Sequence, residues 1–311
     1  MALGEFDLIG RISEMFPTPE GITGIGDDCA ILPQRDGMET LVTTDMLMDG
    51  VHFLISDASP YDLGWKSAAV NISDIAAMGG RPVGTFLSYA LPKGTSDEWM
   101  LEFMRGYKDL SDLSGTPLLG GDTTSSLDRL CINVTVLGEC PRGHARKRSD
   151  ARPGDLICVT GPLGDSAAGL SVILNDVERG ETESALVRRH YRPVPRVSEG
   201  LILSQTEGVH AMMDISDGIG SDLLHILDAS HVGARVDVGS IPLSDECKAA
   251  ASRHAWDTRK LSIDGGEDYE LLFTMAPGTV PATRHFVIGE ITEGPGVEWS
   301  DHADHLGFRH F

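Results

Sequence analysis

The sequence has little cysteine, few aromatics and no long apolar run. Its five cysteines, Cys29, Cys131, Cys140, Cys158 and Cys247, are odd in number and widely spaced, with no CxxC pair. That pattern argues against a disulfide framework or a cysteine zinc site and fits a reducing compartment. No stretch reaches the roughly 20 apolar residues that a bilayer-crossing helix needs. The opening residues carry Glu5, Asp7 and Glu14 where an export leader would be basic and then apolar, so a cytoplasmic location is expected. There is no GxxxxGK[ST] loop and no HRD or DFG set, which argues against a P-loop site and a protein-kinase fold. Positive charge is also short: 25 basic residues against 47 acidic ones, a formal net charge of −22. Nucleic acid would be repelled. Phosphates can still bind where metal ions supply the positive charge.

What is present suits a soluble chain of two domains. The 311 residues exceed what one core usually holds. Glu39–Asp45 reads as a strand ending in Thr43, Thr44 and Asp45. Ser59 and Pro60 open a helix that runs to about Met78 and stops at Gly79-Gly80. Val83–Leu91 is a buried-type strand, and Thr95 with Glu98 makes a capping box for a helix to about Ser114. PLLGG and Arg129–Glu139 add two strands. The β-α-β-α-β-β order predicts an α/β chain of the α+β sandwich type, with helices on one sheet face. The basic, turn-rich segment Cys140–Asp155 marks the boundary, placing one domain at 1–148 and the other at 149–311. Strands DLICVTG, HAMMDIS, ARVDV, YELLFTM and FVIGEI follow, with helices over DSAAGLSVIL and GIGSDLLHIL.

Five motifs place aspartates beside Gly, Ser or Thr at the ends of predicted elements: GIGDDCA (Gly24–Ala30), TTDM (Thr43–Met46), NISD (Asn71–Asp74), GGDTT (Gly120–Thr124) and DISDG (Asp214–Gly218). Each alone reads as a cap or turn; in DISDG, Ser216 or Asp217 would cap the next helix. Together they point to a cation, because clustered carboxylates stay ionised when a cation offsets their repulsion. Mg²⁺ prefers such hard oxygens and leaves positions for substrate phosphates. GPLGDSAAG (Gly161–Gly169) resembles a phosphate-cradling turn, but a tight strand-to-helix connection explains it better. GGEDYELLF (Gly265–Phe273) places Glu267 and Asp268 before a strand, either as a ligand-binding acid or as an acidic turn.

The ordered set GEFDLI, GIGDDCA, TTDMLMDGVHF, WKSAAVNISDIAAMGG, LLGGDTT, RSDARPGD, VTGPLGDSAAGL, DISDGIGSDL, GGEDYELLF and VIGEI closely resembles the thiamine-monophosphate kinases. That family shares a superfamily with aminoimidazole ribonucleotide synthetase and selenophosphate synthetase. The resemblance implies a two-domain PurM-like fold, with an N-terminal ATP- and metal-binding sheet domain that dimerises and a C-terminal α/β domain. It implies ATP and thiamine monophosphate as substrates, thiamine diphosphate as product, and several Mg²⁺ ions. Asp28, Thr43, Thr44, Asp45, Asp74, Asp122, Asp214 and Asp217 match metal ligands. Tyr107, Gly121, Asp122, Arg148 and Ser216 match nucleotide contacts. His52, Glu267 and Phe308 match thiamine phosphate contacts, Phe308 standing where the family commonly has tyrosine. No covalent nucleophile is implied. A selenophosphate synthetase would carry an early reactive Cys with a nearby Lys, but Cys29 is the only early cysteine and no lysine precedes Lys66. From another class, a non-catalytic nucleotide-binding regulator would bind ATP without turnover.

Overall fold

The computed structural model describes residue 11, residues 14–17 and residues 35–307. The chain divides into two compact units, one of residues 1–75 and 81–143, the other of 76–80 and 144–311. Among the described residues, no helix is long and apolar enough to cross a membrane.

The first unit is built from β1 (Met38–Met48), α1 (Pro60–Ala77), β2 (Arg81–Pro92), α2 (Asp97–Ser114), β3 (Leu118–Ser126) and β4 (Cys131–Pro141). The strands lie in the order β1-β4-β2-β3, antiparallel except for the parallel β2–β3 pair. Alternation along β4 buries Ile132, Val134, Val136 and Cys140 on one face. Helix α1 packs there: a Cβ on Gly138 of β4 would sit 2.6 Å from Ile75. The two helices cross closely. A Cβ on Gly64 would meet the Phe103 carbonyl oxygen at 1.9 Å, and one on Gly106 would meet that of Tyr61 at 1.9 Å.

Helix α1 starts where expected, with Ser59 Oγ accepting from Asp62 N at 3.1 Å. Helix α2 starts one residue later than the predicted capping box. Ser96 is its N-cap and accepts from Trp99 N, while Thr95 donates its hydroxyl to the Pro92 carbonyl.

The second unit holds β5 (Leu156–Val159), α3 (Asp165–Leu174), α4 (Glu181–Tyr191), α5 (Val197–Gln205), β6 (Val209–Asp214), α6 (Ile219–Ser230) and β7 (Gly233–Val236). It continues with α7 (Asp245–His254), a π-helical turn (Lys260–Asp264), β8 (Leu271–Met275), β9 (Phe286–Thr292) and β10 (Gly296–Trp299). Its six strands run β10-β7-β9-β5-β8-β6. Strand β8 is buried at every position, and apolar residues from both sides of the sheet pack into separate clusters around Ile226 and Phe273. A sheet covered on both faces needs such continuous apolar strands.

Away from the sheet, buried Glu183 of α4 accepts from Arg253 and His254 of α7. The His254 hydrogen bond, aided by Arg253, holds this carboxyl down at about 2 against an ordinary 4.5. A depressed carboxyl contributes stability above its unfolded value and loses it as pH falls through the folded one. The melting temperature should therefore decline between about pH 4.5 and pH 2, and Glu183→Gln should flatten that part of the profile. A slope identical to that of the unsubstituted protein would rule out this role for Glu183.

Candidate active site

In the first unit, β1 and α1 bring expected ligands together. Thr43 Oγ1 donates to Asp74 Oδ2 at 2.5 Å, and Asp45 N donates to Asn71 Oδ1 at 2.8 Å. Asn71 and Asp74 are one helical turn apart, so one face of α1 holds two successive odd positions of the strand. Asp45 is exposed on β1; partial desolvation pushes its carboxyl up, and nearby His52 pulls it back. His52 is oriented by its own loop, its Nδ1 accepting from Met48 N at 3.0 Å.

Thr44 points the other way. Its hydroxyl meets Asn133 Nδ2 at 3.0 Å and Thr135 Oγ1 at 3.1 Å, across the sheet face opposite the helices. Asp122 is exposed on β3 in register with Ser88, which is in register with Asn133, so pleating puts it on that same face. Before it, Gly121 admits no side chain, because a Cβ would lie 1.7 Å from the Leu87 carbonyl oxygen. The expected ligands of this unit thus fall on two sheet faces, Thr43, Asp45 and Asp74 on one, Thr44 and Asp122 on the other.

Tyr107, which the resemblance gives to the nucleotide, lies inside the unit. It is wholly buried on α2, with its ring edge-on to Phe16 at 6.1 Å, and burial pushes its hydroxyl above the ordinary tyrosine range. It is a core residue of this unit. Asp28 and Phe308 lie outside the described residues.

In the second unit, the β6–β8 ladder runs on past its strands and joins two motifs. Ile215 N donates to Glu270 O, Tyr269 N to Ile215 O, and Glu267 N to Ser216 O at 2.7 Å. DISDG and GGEDYE are therefore one structure. Gly266 allows the approach: a Cβ there would lie 2.3 Å from the Ser216 carbonyl oxygen. Glu267 and Tyr269 both hold positive φ, 65° and 52°. Non-glycine residues keep such strain where surrounding structure imposes it, often at functional sites. Gly266→Ala should cost about 1–3 kcal/mol through overpacking. It should also lower activity more than stability, measurable as a turnover loss in folded protein at temperatures well below melting.

The two acids of GGED do different work. Asp268 accepts from Gly164 N at 2.6 Å and Ser166 N at 3.1 Å, filling the N-terminus of α3. The phosphate-like turn of GPLGDSAAG is thus already occupied by the protein's own carboxylate. Burial raises Asp268 to about 7, with those two N–H groups opposing and Glu270 and Glu267 adding to the rise. Glu267 instead keeps a quarter of its side chain exposed, with Oε2 3.5 Å from His190 Nδ1.

The expected cap at DISDG is absent. Gly218 is the N-cap of α6 and makes no side-chain bond. Asp222, one turn into α6, accepts from Asp217 N at 3.1 Å instead. Asp222 is buried beside Asp214 and Asp217, and burial followed by those two charges pushes it up to about 8. Sequence reasoning passed over Asp222, although it stands in the quoted motif GIGSDL. Arg148 is exposed in a short 3-10 turn, its carbonyl accepting from Ser230 Oγ.

Every described candidate ligand offers a hard oxygen, and the crowding at Asp214, Asp217 and Asp222 is an excess of negative charge that a hard cation would relieve. The donor chemistry fits Mg²⁺. Among the described residues, no three His, Cys, Asp or Glu side chains are already gathered into a metal site.

Family models for AIR synthase related protein match the chain twice, the N-terminal domain over residues 26–140 and the C-terminal domain over 152–284. The thiamine-monophosphate kinase of Salmonella typhimurium is 43% identical over 281 residues, covering 88% of this chain and 83% of that protein. The crystal structure of thiamine-monophosphate kinase from Stenotrophomonas maltophilia superposes with a TM-score of 0.87 at 37% identity, covering 99% of both chains. AaThiL, complexed with AMPPCP and TMP, superposes at 0.84 with 34% identity, over 100% of this chain and 99% of that one. Matches over both domains, at these identities and with this coverage, place the chain in the AIR synthase related family and, within it, among the thiamine-monophosphate kinases.

Proposed function

We propose that the protein transfers the γ-phosphoryl group of ATP directly to the phosphate of thiamine monophosphate. A phosphate oxygen of the acceptor forms the new P–O bond, the β–γ bridge breaks, and ADP leaves with that electron pair. The observation that carries this reading is likeness over nearly the whole chain to thiamine-monophosphate kinases, including AaThiL with its AMPPCP and TMP. The acceptor oxygen is already anionic, so the residues need only position and neutralise, and no covalent nucleophile is required.

On this reading Gly121, Asp122, Arg148 and Ser216 hold the nucleotide, while His52, Glu267 and Phe308 hold thiamine phosphate. Asp28, Thr43, Thr44, Asp45, Asp74, Asp122, Asp214 and Asp217 would hold magnesium. When bound, it would offset charge on the phosphate oxygens. Thr43 and Asn71 keep Asp74 and the Asp45 backbone in register, and Gly121 lets the main chain come close without a side chain in the way.

A homodimer through the first unit is part of the proposal. Among the described residues, the face of its sheet opposite α1 and α2 presents Val42 at 64% and Met46 at 55% exposure. Apolar residues left bare in one strand are a natural partner surface for a second copy.

The direct test is an assay with thiamine monophosphate, ATP and Mg²⁺ that follows thiamine diphosphate and ADP together. Equimolar products support the reading. ATP binding without thiamine diphosphate would overturn it in favour of a regulator. A labelled phospho-enzyme able to pass its phosphate to thiamine monophosphate would overturn direct transfer.

A further inference from the structure

Helices α3 and α4 pack closely enough to exclude a side chain at their contact. A Cβ on Gly169 of α3 would lie 2.3 Å from the Leu186 carbonyl oxygen and 3.0 Å from His190 Cβ. That approach sets His190, in the last turn of α4, beside the N-terminus of α3. The imidazole is 2% exposed. Its Nδ1 lies 3.0 Å from Ser166 Oγ, also buried, and 3.5 Å from Glu267 Oε2. One ring nitrogen therefore faces both a hydroxyl from the first turn of α3 and a carboxylate from the GGED turn. A carboxylate at that distance favours the tautomer with hydrogen on Nδ1, and Ser166 Oγ is then a second acceptor.

The main chain around Glu267 is fixed by other contacts. Its N–H donates to the Ser216 carbonyl oxygen at 2.7 Å, and its φ is held at 65°. The next residue, Asp268, is anchored by Gly164 N and Ser166 N. Only the direction of the Glu267 side chain is left to settle. A glutamate is long and rotatable, and a quarter of this one is exposed, so an unrestrained carboxylate here would sample several rotamers. His190 meets it on its buried side, and Ser166 limits how far the ring can turn.

We propose that His190 is a positioning residue for the thiamine phosphate site: braced by Ser166, it sets the direction of the Glu267 carboxylate. This rests on the reading above in giving Glu267 to thiamine phosphate. Thiamine phosphate carries a cationic ring and an anionic phosphate, so the direction of one carboxylate decides whether it attracts the first or repels the second. The buried ring of His190 acts through Glu267 alone. Its work is to remove rotamers that would have to be given up on binding, which preorganises the site without a new contact to the substrate.

The test compares His190→Leu, His190→Asn, Ser166→Ala and Glu267→Ala in the full chain, with His190→Leu and Glu267→Ala also combined. His190→Leu should raise KM for thiamine monophosphate about tenfold, the scale of one lost charge-assisted hydrogen bond, and leave KM for ATP within about twofold. His190→Asn places an amide N–H near the position of Nδ1 and should recover most of that loss. Ser166→Ala removes the brace but keeps the backbone N–H that Asp268 uses, and should raise the same KM by less. If His190→Leu fails to fold, Ser166→Ala takes its place, alone and combined with Glu267→Ala. On the Glu267→Ala background the second substitution should add less than about twofold, because nothing is left for His190 to orient. Losses that multiply in the combined variant, equal losses for both substrates, or His190→Asn no better than His190→Leu would overturn the proposal. If Glu267→Ala raises KM for thiamine monophosphate while His190→Leu does not, the positioning role fails and the assignment of Glu267 stands. A silent Glu267→Ala overturns the positioning role together with that assignment, and the product assay still decides the reaction independently.

Discussion

Asp74→Asn should leave a folded protein whose turnover is reduced on the order of 10²–10³-fold, the range for removing one electrostatic group aimed at a developing charge. Asparagine keeps the size of the side chain and an oxygen to accept from Thr43 Oγ1, so the β1–α1 contact survives. What disappears is a negative charge proposed to serve bound magnesium. A residue serving only as a polar position on α1 would give a different outcome, with nearly normal rates at saturating ATP and Mg²⁺. Measuring kcat together with the melting temperature separates the two. A normal kcat in a normally melting variant would remove Asp74 from the proposed metal set, and with it the centre of the first unit's site.

Arg196→Ala should strongly destabilise the second unit. Arg196 clasps Glu270 with two bonds, Nε to Oε2 at 2.9 Å and Nη2 to Oε1 at 2.5 Å, and Thr160 Oγ1 adds a third at 2.6 Å. Glu270 is 5% exposed in its side chain and Arg196 about a third. Removing one partner of a buried pair leaves the other charge without its counter-charge, at about 3–5 kcal/mol. The exposed side of the guanidinium argues for the lower end, about 3 kcal/mol. For a unit of this size that corresponds to a fall of roughly 6–12 °C in melting temperature. Arg196→Ala combined with Glu270→Gln should recover part of the loss, because the stranded charge is then gone. A double variant no more stable than Arg196→Ala would mean that packing, rather than the uncompensated carboxylate, set the cost. Glu270 follows Asp268 by two residues and its carbonyl bonds Ile215 N, so the same substitution should also disturb the GGED turn.

Much of the fold was legible because its strands and first helices carry their own signals. Alternation marks β1 and β4, Ser59-Pro60 marks the start of α1, and Gly115 at φ 65° ends α2 as a left-handed cap. Helices α4, α5 and α7 went unread. Each is short, and each depends on groups distant in sequence: Glu183 on Arg253 and His254, Gly200 on the Ala76 carbonyl that its missing Cβ lets approach. Propensity over about ten residues is too weak a signal to reveal such elements.

The candidate site divides in the same way. Residue type and order alone established an acidic, oxygen-rich chain suited to hard cations and phosphates, and the ordered motifs established its family. Those properties are local, since each is written in a few consecutive residues. Only tertiary structure decided which acids are taken up by the fold and which stay open. Asp268 and Glu267 are neighbours, yet one fills the N-terminus of α3 and the other stays partly open beside His190. Asp217, a plausible cap by sequence, is instead bonded through its own N–H to Asp222. Tyr107 is core because α2 turns it inward, where its ring meets Phe16, and Thr44 is parted from Thr43 by the pleat of one strand. Direction and burial come from the packing of elements far apart in sequence, and no short motif specifies them.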